Sequence, residues 1–368
     1  MQVGGQACNA DALQAAEGEE PRRFEHIRAK RAMCGAMSMM RRMQCDITGI
    51  GNAIVDVLVN VNDDFLVEND LTKGAMMLID EARAAALYEK MPSGIECSGG
   101  SAGNTMAGVA SFGSKGAYIG KVAEDQLGEV FAHDIRTIGV DFRSSPATDG
   151  PSTARCLIAV TPDAQRTMST FLGACVELGA SDIDEALIKN SKVTYLEGYL
   201  WDKPSAKEAF LKAAEIAHDA GQKISLTLSD SFCVDRHRAS FQELVAEHVD
   251  ILFANEAEIV SLYEASSFDE AKKAVAKRCE IAVLTRSEKG AVIMGNDEEV
   301  TVAAEPAELV DTTGAGDLYA AGFLHGFTSG RNLVDCGRLG AIAAAEIISH
   351  FGARPSVSLK ELAAKKMS

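Results

Sequence analysis

The stretch Val310-Asp-Thr-Thr-Gly-Ala-Gly-Asp317 runs directly into Leu318-Tyr-Ala-Ala-Gly-Phe-Leu-His-Gly-Phe327. In the second segment aromatic side chains recur every four residues, which is typical of one face of a helix: Tyr319, Phe323 and Phe327. Gly330 then stands where a helix commonly ends. The sequence therefore predicts a glycine-rich loop that opens a helix close to Asp317.

The start of this helix has the features of an anion-binding site. The first backbone N–H groups of a helix have no partner within it, and the positive end of the helix dipole adds to them. Gly314, Ala315 and Gly316 let a ligand approach this backbone closely, which predicts an anion hole. Asp317 beside it can accept the proton of an attacking alcohol, as phosphoryl transfer requires. The alternative is an ordinary first-turn carboxylate, which stabilises a helix by about 1 kcal/mol or less.

A second glycine cluster, Ser98-Gly-Gly-Ser-Ala-Gly-Asn104, leads into another apolar segment that we predict to be a helix. Gly99 and Gly100 expose backbone donors, and Asn104 adds a side-chain amide near the helix start. Asp56 lies in an otherwise apolar strand, where a carboxylate is costly unless it is paired or used. Binding the vicinal hydroxyls of a substrate is one use, and a local turn or capping partner is the alternative.

Apolar runs alternate with helical segments along most of the chain. The strand-like runs are 46–59, 76–79, 117–121, 155–160, 193–197, 224–228, 251–254 and 281–285. Most of them are continuously apolar, which is typical of strands that are buried on both faces. The pattern predicts an α/β fold: one doubly wound, mostly parallel sheet with helices on both faces.

The domain organisation is predicted from the places where this alternation stops. Residues 1–44 combine an acidic stretch with one rich in Arg and Met, and we expect a disordered extension there. An internal translation start and an organelle-targeting segment are the alternatives. Residues 45–360 are predicted to form the main domain and residues 361–368 a C-terminal tail. Within the domain, segments 58–80 and 145–175 are strand-like without long helices between them, which predicts a small β lid.

Composition limits the function classes. The chain has 368 residues, of which 47% are hydrophobic and 24% charged, as in ordinary globular proteins. The net charge of −17 disfavours nucleic acid and anionic membranes as partners. No apolar run reaches the roughly 18 residues of a membrane span. Nine scattered cysteines without a C-x-x-C pair favour free thiols in a reducing compartment. We therefore expect a cytoplasmic protein that binds small molecules, as a monomer or a homodimer.

Other nucleotide and metal fingerprints are missing from the sequence. The P-loop pattern G-x-x-x-x-G-K-[ST] does not occur, and neither glycine cluster completes the G-x-G-x-x-G pattern of a dinucleotide site. The seven histidines have no metal-ligand spacing. A P-loop enzyme is excluded, and a dehydrogenase is poorly supported.

The two glycine clusters occur in an order, and at a separation of roughly two hundred residues, that is similar to one known family. From about residue 46 to about residue 355 the chain resembles the ribokinase-like (PfkB) carbohydrate and nucleoside kinases, and adenosine kinases most closely among them. The resemblance implies an ATP- and Mg²⁺-dependent kinase. It also implies ATP and acceptor sites at the C-terminal edge of the sheet, under the β lid.

The resemblance also implies a role for each matching position. Asp317 is the implied catalytic base, and the implied anion hole is Gly314, Ala315 and Gly316. The implied substrate-binding residues are Asn52, Asp56, Gly99, Gly100 and Asn104. The implied ATP-binding residues are Asn255, Thr285, Gly290 and Thr313. Glu258 of the N-x-x-E motif is expected to hold Mg²⁺ through water, and Asp311 with residues 352–356 a monovalent cation such as K⁺. Asn255 and Glu258 also fit a helix capping box.

The sequence leaves the identity of the phosphate acceptor open. The first hypothesis is a nucleoside kinase that converts adenosine to AMP in purine salvage. The second is a sugar kinase of the same chemistry, acting on ribose or fructose. The third is a non-catalytic protein that binds a nucleotide or a sugar. Arg166, in the predicted lid, is expected to be a surface arginine, with a phosphate contact as the alternative.

Overall fold

The computed structural model describes residues 45–163, 165–295 and 298–368. The predicted disordered extension at residues 1–44 lies outside the described residues. The strands are β1 (Cys45–Ile50), β2 (Ile54–Asn60), β3 (Met76–Leu78), β4 (Ile95–Gly99), β5 (Gly116–Ile119), β6 (Asp141–Phe142), β7 (Ala154–Val160), β8 (Arg166–Phe171), β9 (Ser191–Glu197), β10 (Lys223–Thr227), β11 (Ile251–Asn255), β12 (Ile281–Thr285), β13 (Ala291–Gly295) and β14 (Glu298–Val302).

The helices follow most of the strands, as the sequence pattern predicts. They are α1 (Asp63–Glu68), α2 (Glu81–Lys90), α3 (Ser101–Ser111), α4 (Gln126–Thr137), α5 (Glu185–Lys189), α6 (Pro204–Asp219), α7 (Ser231–Glu247), α8 (Glu256–Leu262), α9 (Phe268–Val275), α10 (Ala315–Thr328), α11 (Leu333–Ile347) and α12 (Leu359–Lys366).

The main sheet has nine strands in the order β14-β13-β12-β11-β10-β9-β1-β5-β6. The strands from β12 to β6 are mutually parallel, and β13 and β14 add an antiparallel edge. Their C-terminal ends therefore meet at one edge of the sheet, where open α/β folds bind ligands.

Both faces of this sheet are buried. In β11, Ile251 and Phe253 pack into one hydrophobic cluster, and Leu252 and Ala254 pack into another on the opposite face. This alternation explains why the strand is continuously apolar in sequence. The predicted doubly wound α/β architecture is confirmed.

A second sheet of five strands has the order β3-β8-β7-β2-β4. Strands β3, β7 and β8 fall within the segments 58–80 and 145–175, whereas β2 begins earlier and β4 lies outside both. The predicted single strand over 46–59 is wrong, because the chain leaves the main sheet at Gly51 and enters the second sheet at Ile54. The backbone N–H and the side chain of Asn52 in this break both donate to Glu197.

The end of the chain is a helix of the domain. Residues 361–366 belong to α12, whose N-cap Ser358 accepts a hydrogen bond from the Glu361 N–H. Leu359 and Ala363 are buried against the main core. The predicted tail at 361–368 is corrected accordingly. Across the described residues, no helix has the length and apolarity needed to cross a bilayer.

Candidate active site

Asp317 lies in the first turn of α10, at the C-terminal edge of the main sheet. The helix begins after Gly314, whose φ of 78° is in the left-handed region that favours glycine. A Cβ at Gly314 would also lie 3.1 Å from the Cβ of Ala353. The loop therefore needs glycine at this position to bring the helix start against the residues around it.

The backbone at this helix start is open to a ligand. Among the described residues, the N–H groups of Gly314, Gly316 and Asp317 have no protein acceptor, whereas Ala315 N–H donates to Thr312 O at 3.2 Å. A Cβ added at Gly316 would meet no atom within 4 Å. The predicted anion hole consists of Gly314, Ala315 and Gly316. The free N–H groups differ from it at one position, because the N–H of Asp317 is free and that of Ala315 is not. The arrangement suits an anion at a helix N-terminus.

The carboxylate of Asp317 is held by the glycine loop, defined as residues 98–104. Ser101 Oγ donates to Asp317 Oδ1 at 2.6 Å, and Asn104 Nδ2 donates to Oδ2 at 3.1 Å. Burial raises the pKa of Asp317 to about 6, while these two hydrogen bonds and the positive charge of Arg354 lower it. Asp317 is therefore ionised at neutral pH and has the basicity of a general base.

Asp56 is a second carboxylate of the same cavity, on strand β2. Burial raises its pKa to about 6, the charges of Arg354 and Arg166 lower it, and Asp317 raises it. A Cβ at Gly99 would lie 2.5 Å from the Asp56 Cγ, so glycine there makes room for the carboxylate. Gly99 itself does not line the cavity, and its predicted substrate contact is replaced by this steric role.

Glu197, at the end of β9, is a site residue that the sequence analysis missed. It is 1% exposed and accepts hydrogen bonds from Asn52 Nδ2 at 2.7 Å and from Ala102 N–H at 2.8 Å. Burial raises its pKa to about 7, although these hydrogen bonds oppose the shift. Glu197 thereby joins the predicted substrate residue Asn52 to the glycine loop. In the sequence, only its position as an acidic residue at the end of an apolar strand could have indicated that Glu197 belongs to the site.

Asn255 and Glu258 form a capping box at the start of α8. Glu258 N–H donates to Asn255 Oδ1 at 2.9 Å, and Glu258 Oε2 accepts from Asn255 N–H at 2.9 Å. Both residues also line the cavity. Burial, helped by the nearby carboxylates of Asp230 and Asp317, raises the pKa of Glu258 to about 7, although the hydrogen bond from Asn255 N–H opposes the shift.

The part of the cavity around Glu258 and Asp230 is acidic and fits Mg²⁺. Magnesium keeps several waters and binds proteins through one or two carboxylates together with substrate phosphates. In the described parts of the chain, no group of three or more His, Cys, Asp or Glu residues forms a protein-only metal site. Glu258, close to Asp230, offers oxygens of the kind that Mg²⁺ prefers.

The remaining predicted ATP-binding residues differ in whether they line the cavity. Thr285 and Thr313 line the cavity, whereas Gly290 does not. Gly290 has a φ of 81°, and its Cα faces the backbone of Val302 and Ala303, so the turn after β12 requires glycine there. Its position reflects the turn rather than a contact with a ligand.

Arg166 and Asp311 join the second sheet to the anion-hole loop. Arg166 Nη1 lies 2.6 Å from Asp311 Oδ2, and the two side chains are 10% and 9% exposed. The predicted surface arginine is therefore wrong. Asp311 also accepts hydrogen bonds from Thr313 N–H at 2.9 Å and Gly352 N–H at 3.1 Å. Both oxygens of Asp311 are thus paired within the protein, and the monovalent cation implied by the resemblance stays a prediction.

Most of these residues line one cavity of about 790 Å³. Its second-sheet wall includes Asp56, Met76, Leu78, Cys156, Arg166 and Met168. The opposite side includes Asn52, Gly100, Asn104, Glu197, Tyr199, Phe232, Asn255, Glu258, Thr285 and residues 312–317. The structure thus brings most of the predicted site residues together, and Gly99, Gly290 and Asp311 stand outside the lining.

Comparison with known proteins agrees with this geometry. The family model for pfkB family carbohydrate kinases matches residues 81–360. A structure described as a probable sugar kinase from Rhizobium etli is 52% identical, with a TM-score of 0.81, and the match covers 88% of this chain and 99% of that one. The structure of adenosine kinase from Sinorhizobium meliloti is 53% identical, with a TM-score of 0.80, covering 88% of this chain and 100% of that one.

Curated relatives carry names of sugar kinases. A 5-dehydro-2-deoxygluconokinase from Clostridium perfringens is 25% identical over 263 residues, which is 68% of this chain and 78% of that protein. The similar proteins therefore share a kinase activity by name and differ in the acceptor, either a nucleoside or a sugar.

Proposed function

Because the chain belongs to the pfkB family of carbohydrate kinases, we propose that it transfers the γ-phosphoryl group of ATP to the 5′-hydroxyl of a nucleoside, adenosine before others. The observation that carries the kinase chemistry is the Asp317 carboxylate beside the free N–H groups of Gly314 and Gly316. The base and the anion hole lie on one cavity, as phosphoryl transfer needs.

The reaction uses the groups around Asp317 as follows. The acceptor hydroxyl oxygen forms a bond to the γ-phosphorus, the bond from that phosphorus to the ADP oxygen breaks, and the hydroxyl proton passes to Asp317. The N–H groups of Gly314 and Gly316 stabilise the charge that develops on the phosphoryl oxygens. Glu258 would hold Mg²⁺ through water, and the bound ion would supply positive charge to the phosphates of ATP. Asp56 and Asn104 orient the ribose hydroxyls of the acceptor.

The walls of the cavity support a nucleoside as the acceptor. Phe232, Leu78 and Met76 line the cavity and are 75%, 63% and 56% exposed. Exposed apolar side chains that line a cavity from two sides favour a ligand with an apolar face. The base of a nucleoside has such a face, whereas a free sugar would leave these side chains in water. The 53% identical adenosine kinase supports the same acceptor.

A sugar is the second candidate acceptor. The names of the curated relatives favour it, since several are 5-dehydro-2-deoxygluconokinases. The residues that would hold a sugar, Asp56 and Asn104, are the same ones that would hold the ribose of a nucleoside. The two hypotheses differ only in what covers the exposed side chains of Met76, Leu78 and Phe232.

Coupled ADP release from MgATP tests the proposal across a panel of acceptors. The panel is adenosine, inosine, guanosine, ribose, fructose, 5-dehydro-2-deoxygluconate and a sample without acceptor. We expect adenosine to give the highest kcat/KM. A higher kcat/KM with a free sugar would contradict the nucleoside assignment and leave the kinase chemistry standing. ADP release that no acceptor increases would contradict both.

A further inference from the structure

Arg354 lies in the C-terminal loop, defined as residues 349–357 between α11 and α12. All three guanidinium nitrogens are hydrogen-bonded to the glycine loop. Nε donates to Ser98 O at 3.1 Å, Nη2 donates to Ser98 Oγ at 2.9 Å, and Nη1 donates to Gly103 O at 2.8 Å. One side chain therefore holds the glycine loop at both of its ends.

The segment that Arg354 holds carries the ligands of the proposed base. Ser101 and Asn104, which donate to the two oxygens of Asp317, lie between the two attachment points or directly beside them. Ser98 is fixed from its other side as well, because its N–H donates to Asp134 Oδ2 at 2.8 Å. A shift of the glycine loop would therefore move both hydrogen bonds to Asp317.

The C-terminal loop is anchored independently. Gly352 N–H donates to Asp311 Oδ2 at 3.1 Å, next to the anion hole. Ser356 N–H and Ser356 Oγ each donate to Glu346 Oε1 at 2.8 Å. The loop thus connects the anion-hole side of the cavity to the acceptor side, with Arg354 as the connection to the glycine loop.

Arg354 also brings a positive charge to a group of carboxylates; burial lowers its pKa, and the surrounding acidic groups oppose that shift. Its charge acts on Asp56 and Asp317, and Asp134 and Cys97 lie near it too. The other titratable or charged groups that face Asp56 are Arg166, Asp317, Cys97 and Cys156. Those that face Asp317 are Asp56, Tyr195, Glu197, Tyr199 and Glu258. Most of these neighbours are acidic and oppose ionisation of the two carboxylates. The positive charge of Arg354 acts in the other direction and favours their ionised forms.

We infer that Arg354 is a positioning residue of the phosphoryl transfer, which holds the glycine loop in register with Asp317 and supplies the internal counter-charge for the Asp56 and Asp317 carboxylates. This inference rests on the proposed function. Arg354 is absent from the described residues that line the cavity, so it acts through the glycine loop and not by touching the substrate.

Three variants separate the two parts of this role. Arg354→Met removes both the charge and the hydrogen bonds. It should raise KM for the acceptor about tenfold and move the acidic limb of kcat/KM to higher pH by about one unit. Arg354→Lys keeps the charge but loses the planar guanidinium and its paired hydrogen bonds. KM for the acceptor should therefore rise, while the acidic limb of the kcat/KM profile stays at the same pH. Ser98→Ala should do the same more weakly. Arg238→Met is the matched control, because Arg238 Nε also donates to a backbone carbonyl, Ser261 O, at 2.8 Å away from the cavity.

An unchanged acidic limb in Arg354→Met would overturn the counter-charge role, and unchanged KM in Arg354→Lys and Ser98→Ala would overturn the positioning role. If Arg354→Met fails to fold, Arg354→Lys and Ser98→Ala still decide the positioning role, and Arg354→Gln, which keeps an amide donor without the charge, decides the counter-charge role by the same shift of the acidic limb. Hydrogen exchange provides a readout that does not need turnover. The amides of residues 98–106 should exchange faster in Arg354→Lys than in the parent protein, and equal rates would contradict the inference. A parent protein without activity on any acceptor would instead count against the proposed function.

Discussion

The Ser101 hydroxyl donates a 2.6 Å hydrogen bond to Oδ1 of Asp317, across 216 positions of the chain. The bond stabilises the ionised carboxylate and so lowers the pKa that burial raises. Ser101 therefore keeps the proposed base deprotonated at neutral pH and limits its basicity at the same time.

Ser101→Ala should therefore change the pH dependence of the reaction. With Asp317 at a pKa of about 6, kcat/KM for the acceptor should fall as the pH drops below 6, because the base becomes protonated. Losing the hydroxyl raises the pKa, so the acidic limb should move to higher pH. Thr105→Val is the control, since the Thr105 hydroxyl donates to Ser101 O and not to Asp317. A limb at the same pH in Ser101→Ala and in the parent protein would contradict this prediction.

Two glycines of the anion hole should respond differently to the same substitution. Gly314→Ala places a side chain at a φ of 78° and should lower the free energy of unfolding by about 1–2 kcal/mol. Gly316→Ala has free space around the new methyl group and should leave stability unchanged. The methyl group would, however, enter the space that we assign to the phosphate, so kcat/KM for ATP should fall about tenfold. Urea unfolding and steady-state kinetics measure both effects. Full activity of Gly316→Ala would place the phosphate elsewhere.

Glu197→Gln should weaken the acceptor side of the cavity. A carboxamide cannot accept from all the donors that Asn52 and Ala102 direct at Glu197, so one buried donor loses its acceptor. The free energy of unfolding should fall by about 1–3 kcal/mol, and KM for the acceptor should rise more than KM for ATP. Glu215→Gln on the exposed face of α6 is the control. Equal changes in both KM values would indicate a general loss of structure.

Phe232→Ala should separate nucleosides from sugars. Phe232 is 75% exposed at the cavity and belongs to neither hydrophobic cluster of the residues that the structure describes, so its removal should leave stability nearly unchanged. If it covers the base of a nucleoside, KM for adenosine should rise about tenfold, while any activity on ribose stays the same. An unchanged KM for adenosine would mean that the adenine ring binds against another part of the cavity.

The parts of the site that the sequence could predict are local ones. Residues 311–317 and 98–104 are short segments in which glycines, a helix start and a polar side chain stand together, so the sequence alone could propose Asp317 and Asn104 as candidates. The main sheet could be predicted for the same reason, because burial on both faces makes each strand continuously apolar.

The parts that the sequence could not predict depend on contacts between distant segments. Glu197 reaches Asn52 across 145 positions, and Arg354 reaches Ser98 across 256. The sequence does not reveal that Arg166 is buried, because its partner, Asp311, lies 145 positions away on another element. A long charged side chain normally indicates the surface, and only the folded chain shows the buried partner that reverses this expectation.

The central claim is that Asp317 accepts the proton of the acceptor hydroxyl, and Asp317→Asn tests it most directly. Single-turnover phosphorylation of the best acceptor should be measured for this variant and its parent, together with MgATP binding by calorimetry. We predict a loss in rate of about 10²–10⁴-fold with ATP affinity retained, because the amide cannot take the proton but preserves the shape of the site. A rate within tenfold of the parent would contradict the assignment of Asp317 as the base.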